Sequence, residues 1–225
     1  MRQARRCKGD EALLEGPHLV REAAAARLRF VELVATPDLA ESAEGRELLA
    51  ALPFPPELAE AEVLATVFDA DSPRGIAAVV ELPRPGVDGL PVVADGVYLY
   101  LDGLQDPGNL GALVRSAEAA GIAGVALGPG CAHPNHPRAL RASAGSLLRV
   151  DVARNVEAAD LTARLEEVNA RWAALATRGG DPLWQADLGG ALVLALGAEG
   201  PGLSEQIESR CHLHLTIPLQ SPVES

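Results

Sequence analysis

Three stretches of this 225-residue chain carry groups able to do chemistry. In residues 101–121, LDGLQDPGNLGALVRSAEAAG, one arginine, Arg115, sits in a helical pattern that follows an apolar run and an Asp-Pro-Gly turn. A guanidinium keeps its proton throughout the physiological pH range. It can therefore grip a phosphate or steady a developing alkoxide, but it is a poor base. In residues 194–205, LALGAEGPGLSE, Gly197, Gly200 and Gly202 let the backbone approach a flat ligand, and Glu199 adds a carboxylate. That spacing is not the GxGxxG of a dinucleotide turn, and the lysine of a phosphate-binding P-loop is missing. The third stretch, residues 212–225, HLHLTIPLQSPVES, reads as a strand running into a proline-bounded loop.

Other reactive residue types fit plainer roles. His133 and His136 flank Pro134-Asn135, and His212 and His214 share a strand face, but neither pair has an evident third ligand, so no metal is expected. Asp102 and Asp106 could act as paired carboxylates or simply form turns. No nucleophile elbow accompanies a Ser-His-Asp order. Cys7, Cys131 and Cys211 are odd in number and far apart, which points to a reducing, cytoplasmic setting. The formal charge of −12 disfavours non-specific attraction to nucleic acid, although Arg2, Arg5, Arg6 and Lys8 make one local exception. No apolar run approaches the ~20 residues of a membrane-spanning helix, so no membrane partner is expected.

The elements that must position these groups follow from periodicity. Tyr98 to Leu101 is a short apolar strand; Leu110, Leu113, Val114 and Ala117 form a helical stripe, with Asn109 as its N-cap and Gly121 just past its end. Arg115 lies off that stripe, near the strand's carboxyl end, where open α/β sheets bind ligands. Upstream, the patterns predict a helix starting at Pro17, strands over residues 30–35 and 76–82, a helix over 44–52, and an ambiguous segment over 61–68. Downstream they predict strands over 121–128, 146–152, 171–176, 191–196 and 213–217, with helices over 138–143 and 158–169 and another beginning at Ser204. Repeated strand–helix alternation implies an α/β fold with a mainly parallel sheet covered by helices. The Pro- and Gly-rich stretch before residue 97 divides the chain into a small α/β domain (1–85), a linker (86–96) and a larger domain (97–225).

Taken in order, DPGNLGALVRSAEAAG, RASAGS at residues 141–146, LGAEGPGLS and IPLQSPVES resemble the motifs of the SpoU/TrmH family of RNA ribose 2′-O-methyltransferases. SPRGIAAVVEL and the helix beginning near Gly16 are similar to the small RNA-binding domain that precedes the catalytic domain in many members. The resemblance implies a SPOUT-type α/β fold with helices on both sheet faces and a C-terminal trefoil knot. It also implies S-adenosylmethionine as cofactor, structured RNA (ribosomal or transfer) as substrate, and a homodimer. By motif position it implies catalytic roles for Asn109, Arg115, Glu199 and Ser225. Leu196, Gly197, Glu199, Gly200, Ile217 and Leu219 would line the cofactor pocket, and Arg115, Arg141 and Ser143 would contact RNA. The family's third motif continues with leucine and asparagine and then an apolar helix. A chain stopping at Ser225 is therefore expected to leave the knot incomplete and to bind cofactor poorly. The implied activity is S-adenosylmethionine-dependent ribose 2′-O-methylation; the alternative is a catalytically silent RNA-binding relative, a reading the acidic charge favours.

Overall fold

A computed structural model describes residues 9–66, 75–176 and 179–218. The chain packs as two units. The first comprises Met1–Arg84, Asp106–Ser116 and His133–Val150, and the second Pro85–Gln105, Ala117–Ala132 and Asp151–Ser225. Two stretches downstream of residue 97 thus pack with the N-terminal segment. Side-chain bonds within the first unit account for this. Arg84 Nε donates to Asn135 Oδ1 (2.8 Å) and its Nη2 to the Leu147 carbonyl (2.7 Å), while buried Asn135 donates to the Leu82 carbonyl (2.9 Å).

The first unit carries a four-stranded sheet of β1 (Glu11–Glu15), β2 (Phe30–Ala35), β3 (Glu57–Leu58) and β4 (Ile76–Glu81), in the order β1-β4-β2-β3. The pairs β1–β4 and β2–β4 are antiparallel, and β2–β3 is parallel. Helix α1 (Pro17–Ala25) begins at its proline, as the sequence predicts, because Pro needs no N–H at the first helical position. Short helices α2 (Pro37–Glu41) and α3 (Ala43–Ala50) start at Thr36 and Ser42, whose hydroxyls accept from the Leu39 and Gly45 amides. The ambiguous segment forms α4 (Ala61–Ala65); its remainder lies outside the described residues. Strand β1 escapes the sequence reading because EALLE has helix-forming composition. Pairing with β4 overrides that weak preference.

The second unit is built on seven parallel strands: β5 (Val97–Asp102), β6 (Gly124–Leu127), β7 (Val152–Arg154), β8 (Arg171–Leu175), β9 (Asp181–Pro182), β10 (Leu192–Gly197) and β11 (Leu213–Thr216). Their order is β7-β6-β5-β10-β8-β11-β9. Alternation puts Tyr98, Tyr100, Trp172, Ala174, Val193 and Ala195 on one face. There they pack with Leu161 of α7 (Ala158–Arg164) and Ile207 of α8 (Glu205–Glu208). The other face carries Ala173, Leu192 and Leu215, with Val97, Leu175, Leu194 and Leu213 half-buried. Apolar side chains on both faces are what a parallel sheet requires. The rings of Tyr100 and Trp172 meet edge to face at 5.2 Å.

Residues 86–96, read as a linker, are held against this sheet. Tyr98 OH donates to the Pro91 carbonyl and accepts from the Val93 amide, both at 2.9 Å, and Arg164 clamps the carbonyl of buried Leu90 through two nitrogens. The strand predicted over 146–152 needs correction. Ala144 and Gly145 take positive φ, residues 146–148 form a 3-10 turn, and extended pairing begins only at Val152. Likewise, the helix predicted over 158–169 ends at Arg164 and gives way to a 3-10 turn closed by left-handed Asn169.

Candidate active site

The proposed site residues divide between the two units. In the second, β5 and β10 are neighbours in register, with Leu196 opposite Leu101 and Gly197 opposite Asp102. The connection after β5 leads toward β6 on one side, whereas β10 borders β8 on the other. The two strand ends therefore flank the point where the strand order reverses, the place where open α/β sheets bind ligands. A carboxylate ties them together: Asp102 Oδ2 accepts the Ser204 amide at 2.7 Å. Asp102 thus serves as a backbone clamp, a role hidden in the sequence except for its place at the end of an apolar run.

Residues 197–202 form a closed loop. Ala198 N–H donates to the Gly202 carbonyl (3.1 Å) and Gly202 N–H to the Ala198 carbonyl (3.0 Å). A Cβ on Gly197 would lie 2.0 Å from the Gly202 carbonyl carbon and 2.2 Å from the Leu203 nitrogen, so only glycine permits this closure. Gly200 and Gly202 hold φ of +87° and +76° and face open space, which leaves the loop's backbone accessible. Glu199 is exposed on the same loop, Leu196 is half-buried at its base, and Ile217 stands 59% exposed at the end of β11. The loop thus offers accessible peptide groups at the carboxyl end of β10. Leu219 and Ser225 lie outside the described residues.

Within the same unit, burial and then the carboxylates of Asp102 and Glu157 push the Tyr100 hydroxyl far above its ordinary pKa, and the group donates to the Val156 carbonyl (3.1 Å). Burial likewise raises Cys131, whose Sγ rests on the Leu101 carbonyl. Both side chains stay neutral and structural.

The helix after β5 is α5 (Pro107–Ala119), whose residues 107–116 belong to the first unit. It begins three residues earlier than the sequence suggests. Asp106, not Asn109, supplies the cap, because its Oδ1 accepts the Asn109 amide at 2.8 Å. The predicted stop holds: Gly121 (φ +76°) donates to Glu118 and Ile122 to Ala117, the paired bonds of a Schellman ending. Leu110 and Val114 are fully buried, and Arg115 is exposed, two turns into the helix. Among the described residues no ion pair engages Arg115, so its charge faces solvent.

Helix α6 (Pro137–Ala142) packs against α5 at Gly111, where an added Cβ would meet the Ala139 carbonyl oxygen at 2.2 Å. Arg138 of α6 pairs with Asp106 at 3.1 Å and lies close over Gly108. It is 60% exposed, and the sequence reading did not single it out. Ser143 requires correction as an RNA contact. It is completely buried, donates to the Leu140 carbonyl and accepts from the Leu147 amide, so its hydroxyl finishes α6. Arg141 pairs with Glu15, whose side chain is 5% exposed; the arginine therefore compensates a buried carboxylate.

His133 and His136 are also turn-formers, each accepting through Nδ1 from the amide two residues on. Among the described residues no group of three or more His, Cys, Asp or Glu side chains could hold a metal, and no helix is long and apolar enough to cross a membrane.

The SpoU rRNA Methylase family model matches residues 96–225. A 23S rRNA (guanosine(2553)-2′-O)-methyltransferase, RlmP of Bacillus subtilis, is 30% identical over 73% of this chain and 64% of its own. An uncharacterized tRNA/rRNA methyltransferase of Synechocystis is 31% identical over 75% of this chain and 61% of its own. The chain thus spans a little over 60% of the length of these relatives. Among solved structures, the SpoU methyltransferase AviRb of Streptomyces viridochromogenes, in complex with AdoMet, has the same fold. Its TM-score is 0.86 at 24% identity, over 96% of this chain and 84% of that one. A TrmH-family protein from Porphyromonas gingivalis gives 0.78 at 30% identity, over 100% and 88%.

Proposed function

The chain belongs to the SpoU rRNA methylase family, and from that premise we propose that it transfers a methyl group from S-adenosylmethionine to a ribose 2′-hydroxyl of ribosomal RNA. The observation that carries this reading is the pair of clamped strand ends. Gly197 stands in register with Asp102, and a closed glycine loop presents its backbone at the point where the strand order reverses. Leu196, Gly197, Glu199, Gly200 and Ile217 would hold the cofactor, which when bound supplies an electrophilic methyl on a sulfonium.

The protein's own task is to align the hydroxyl behind that methyl, favour its ionisation and exclude water. Arg115 is the residue we assign to the hydroxyl. Its guanidinium cannot take up the proton, so it acts as a fixed cation that lowers the hydroxyl's pKa and steadies the alkoxide. Asn109 and Glu199 would orient the ribose and the cofactor. Arg115 and Arg138 together offer exposed cations for RNA phosphates on a chain of net charge −12. The homodimer and a cytoplasmic setting, both drawn from family resemblance and cysteine usage, belong to the same proposal.

Transfer of tritiated methyl to unmodified large-subunit rRNA tests it. Wild type should label the RNA. Arg115→Ala should lower the rate by roughly 10²- to 10³-fold, the cost of removing one charge-stabilising donor, while its binding of S-adenosylmethionine stays within about twofold of wild type. Absence of label on ribosomal and transfer RNA alike would refute the activity, and an Arg115→Ala enzyme as fast as wild type would refute the assigned role.

A further inference from the structure

The RASAGS stretch, residues 141–146, has no part in the reaction above, because Ser143 closes α6 and Arg141 is paired. Its partners lie instead on the N-terminal segment. Arg141 Nη1 donates to the carboxylate of Glu15, the last residue of β1, and α6 packs against that strand. From α1, His18 Nε2 donates to the Ala144 carbonyl (3.2 Å), and Glu22 pairs with Arg149. Ala144 holds φ of +48°, a conformation that a residue with a Cβ keeps only where its surroundings impose it. At Gly145 an added Cβ would stand 2.9 Å from Glu22 Cγ, so α1 closes directly over the backbone there.

Helix α6 in turn meets α5 backbone to backbone. A Cβ on Gly111 would stand 2.2 Å from the Ala139 carbonyl oxygen, 2.8 Å from Ala142 Cβ and 2.9 Å from the Ser143 nitrogen. No long side chain lies in this contact to absorb a displacement, so a shift of α6 passes to α5. Gly111 follows Asn109 closely and precedes Arg115 by one turn. Residues 106–116 accordingly pack with the first unit, whereas the end of α5, from Ala117, packs with the second. Glu15 is buried, and a buried ion pair adds little net stability over an apolar pair of the same volume. What it does supply is a fixed geometry, because each charge has one place to go.

We propose that Glu15 and Arg141 are positioning residues for methyl transfer: through α6 they set α5, and with it the orientation of Arg115 toward the ribose hydroxyl. Arg115's part in this rests on the methyl-transfer reading; the hold on α5 does not. The N-terminal sheet is then the frame of the reacting arginine, in addition to any contact it makes with RNA.

The double variant Glu15→Gln, Arg141→Met separates framing from stability. It leaves no buried carboxylate unpaired, so its urea midpoint should recover most of what Arg141→Ala loses. Its kcat on unmodified large-subunit rRNA should still fall by roughly tenfold or more, while KM for RNA and Kd for S-adenosylmethionine stay within about twofold of wild type. Hydrogen exchange supplies a readout independent of activity: in the double variant the amides of residues 111–116 should exchange about tenfold faster or more, with those of β10 unchanged. Gly111→Ala, which pushes α5 off α6 directly, should reproduce the fall in kcat at unchanged cofactor affinity. A double variant whose rate recovers together with its stability, or whose 111–116 amides keep wild-type protection, would overturn the proposal. If wild type itself labels no RNA, the methyl-transfer reading fails, and exchange alone then decides whether the pair holds α5.

Discussion

Gly197→Ala tests the glycine loop most directly. The added methyl carbon would stand 2.0 Å from the Gly202 carbonyl carbon and 2.1 Å from its oxygen, all backbone, so no side chain can swing aside. Relief requires the far side of the loop to retreat by more than an ångström, which breaks the two Ala198–Gly202 hydrogen bonds of 3.1 and 3.0 Å. Overpacking of this kind costs roughly 1–3 kcal/mol, and each lost bond about 0.5–1.5 kcal/mol. The loop therefore opens at a cost of about 2–6 kcal/mol. If the closed loop holds S-adenosylmethionine, about 3 kcal/mol of that penalty appears as roughly a hundredfold rise in Kd. Gly200→Ala is the internal comparison. Its methyl would meet nothing within 4 Å, but φ of +87° strains any L-residue, at about 1–2 kcal/mol. The expected order is wild type, then Gly200→Ala, then Gly197→Ala, read by isothermal titration with the cofactor. Binding by Gly197→Ala within threefold of wild type, or the reverse order of the two variants, would refute the reasoning.

Three further outcomes follow from the first unit and the core. Asp106→Ala removes the α5 cap and the Arg138 pair and should cost about 1–2 kcal/mol in urea unfolding, whereas Asp106→Asn keeps the cap and should cost less than half as much; equal losses would discount the cap. Arg141→Ala leaves the Glu15 carboxylate buried without its cation and should destabilise by roughly 2–4 kcal/mol, a loss that Arg141→Met with Glu15→Gln recovers in large part; no recovery in the double variant would contradict this account. Burial, and then Glu208, pushes the Cys211 thiol up to about 11. The folded state therefore keeps the proton to higher pH than the unfolded chain. Stability from this site is present below about pH 9 and falls as pH rises toward 11, so the urea midpoint should drop over that range and Cys211→Ala should flatten the drop.

The sequence by itself determined what depends on local periodicity and local chemistry. Strands β2, β4, β5, β6, β8, β10 and β11 were legible because their apolar runs are short and bounded by glycine, proline or charge. Pro17 started its helix and Gly121 ended α5 because a missing N–H and a positive φ are properties of single residues. The order of the glycine motifs was enough to suggest the family that the comparison then matched over residues 96–225.

Only the tertiary structure decided the rest. EALLE became β1 because β4 offers a partner, and residues 146–148 turned because Ala144 and Gly145 bend the chain first. Ser143 looked available to a ligand, yet its hydroxyl is consumed within α6. Asp102 and Asp106 read as a possible pair; one clamps the Ser204 amide and the other caps α5. Burial and pairing are relations between residues far apart in the chain, and no local pattern encodes which of them will meet.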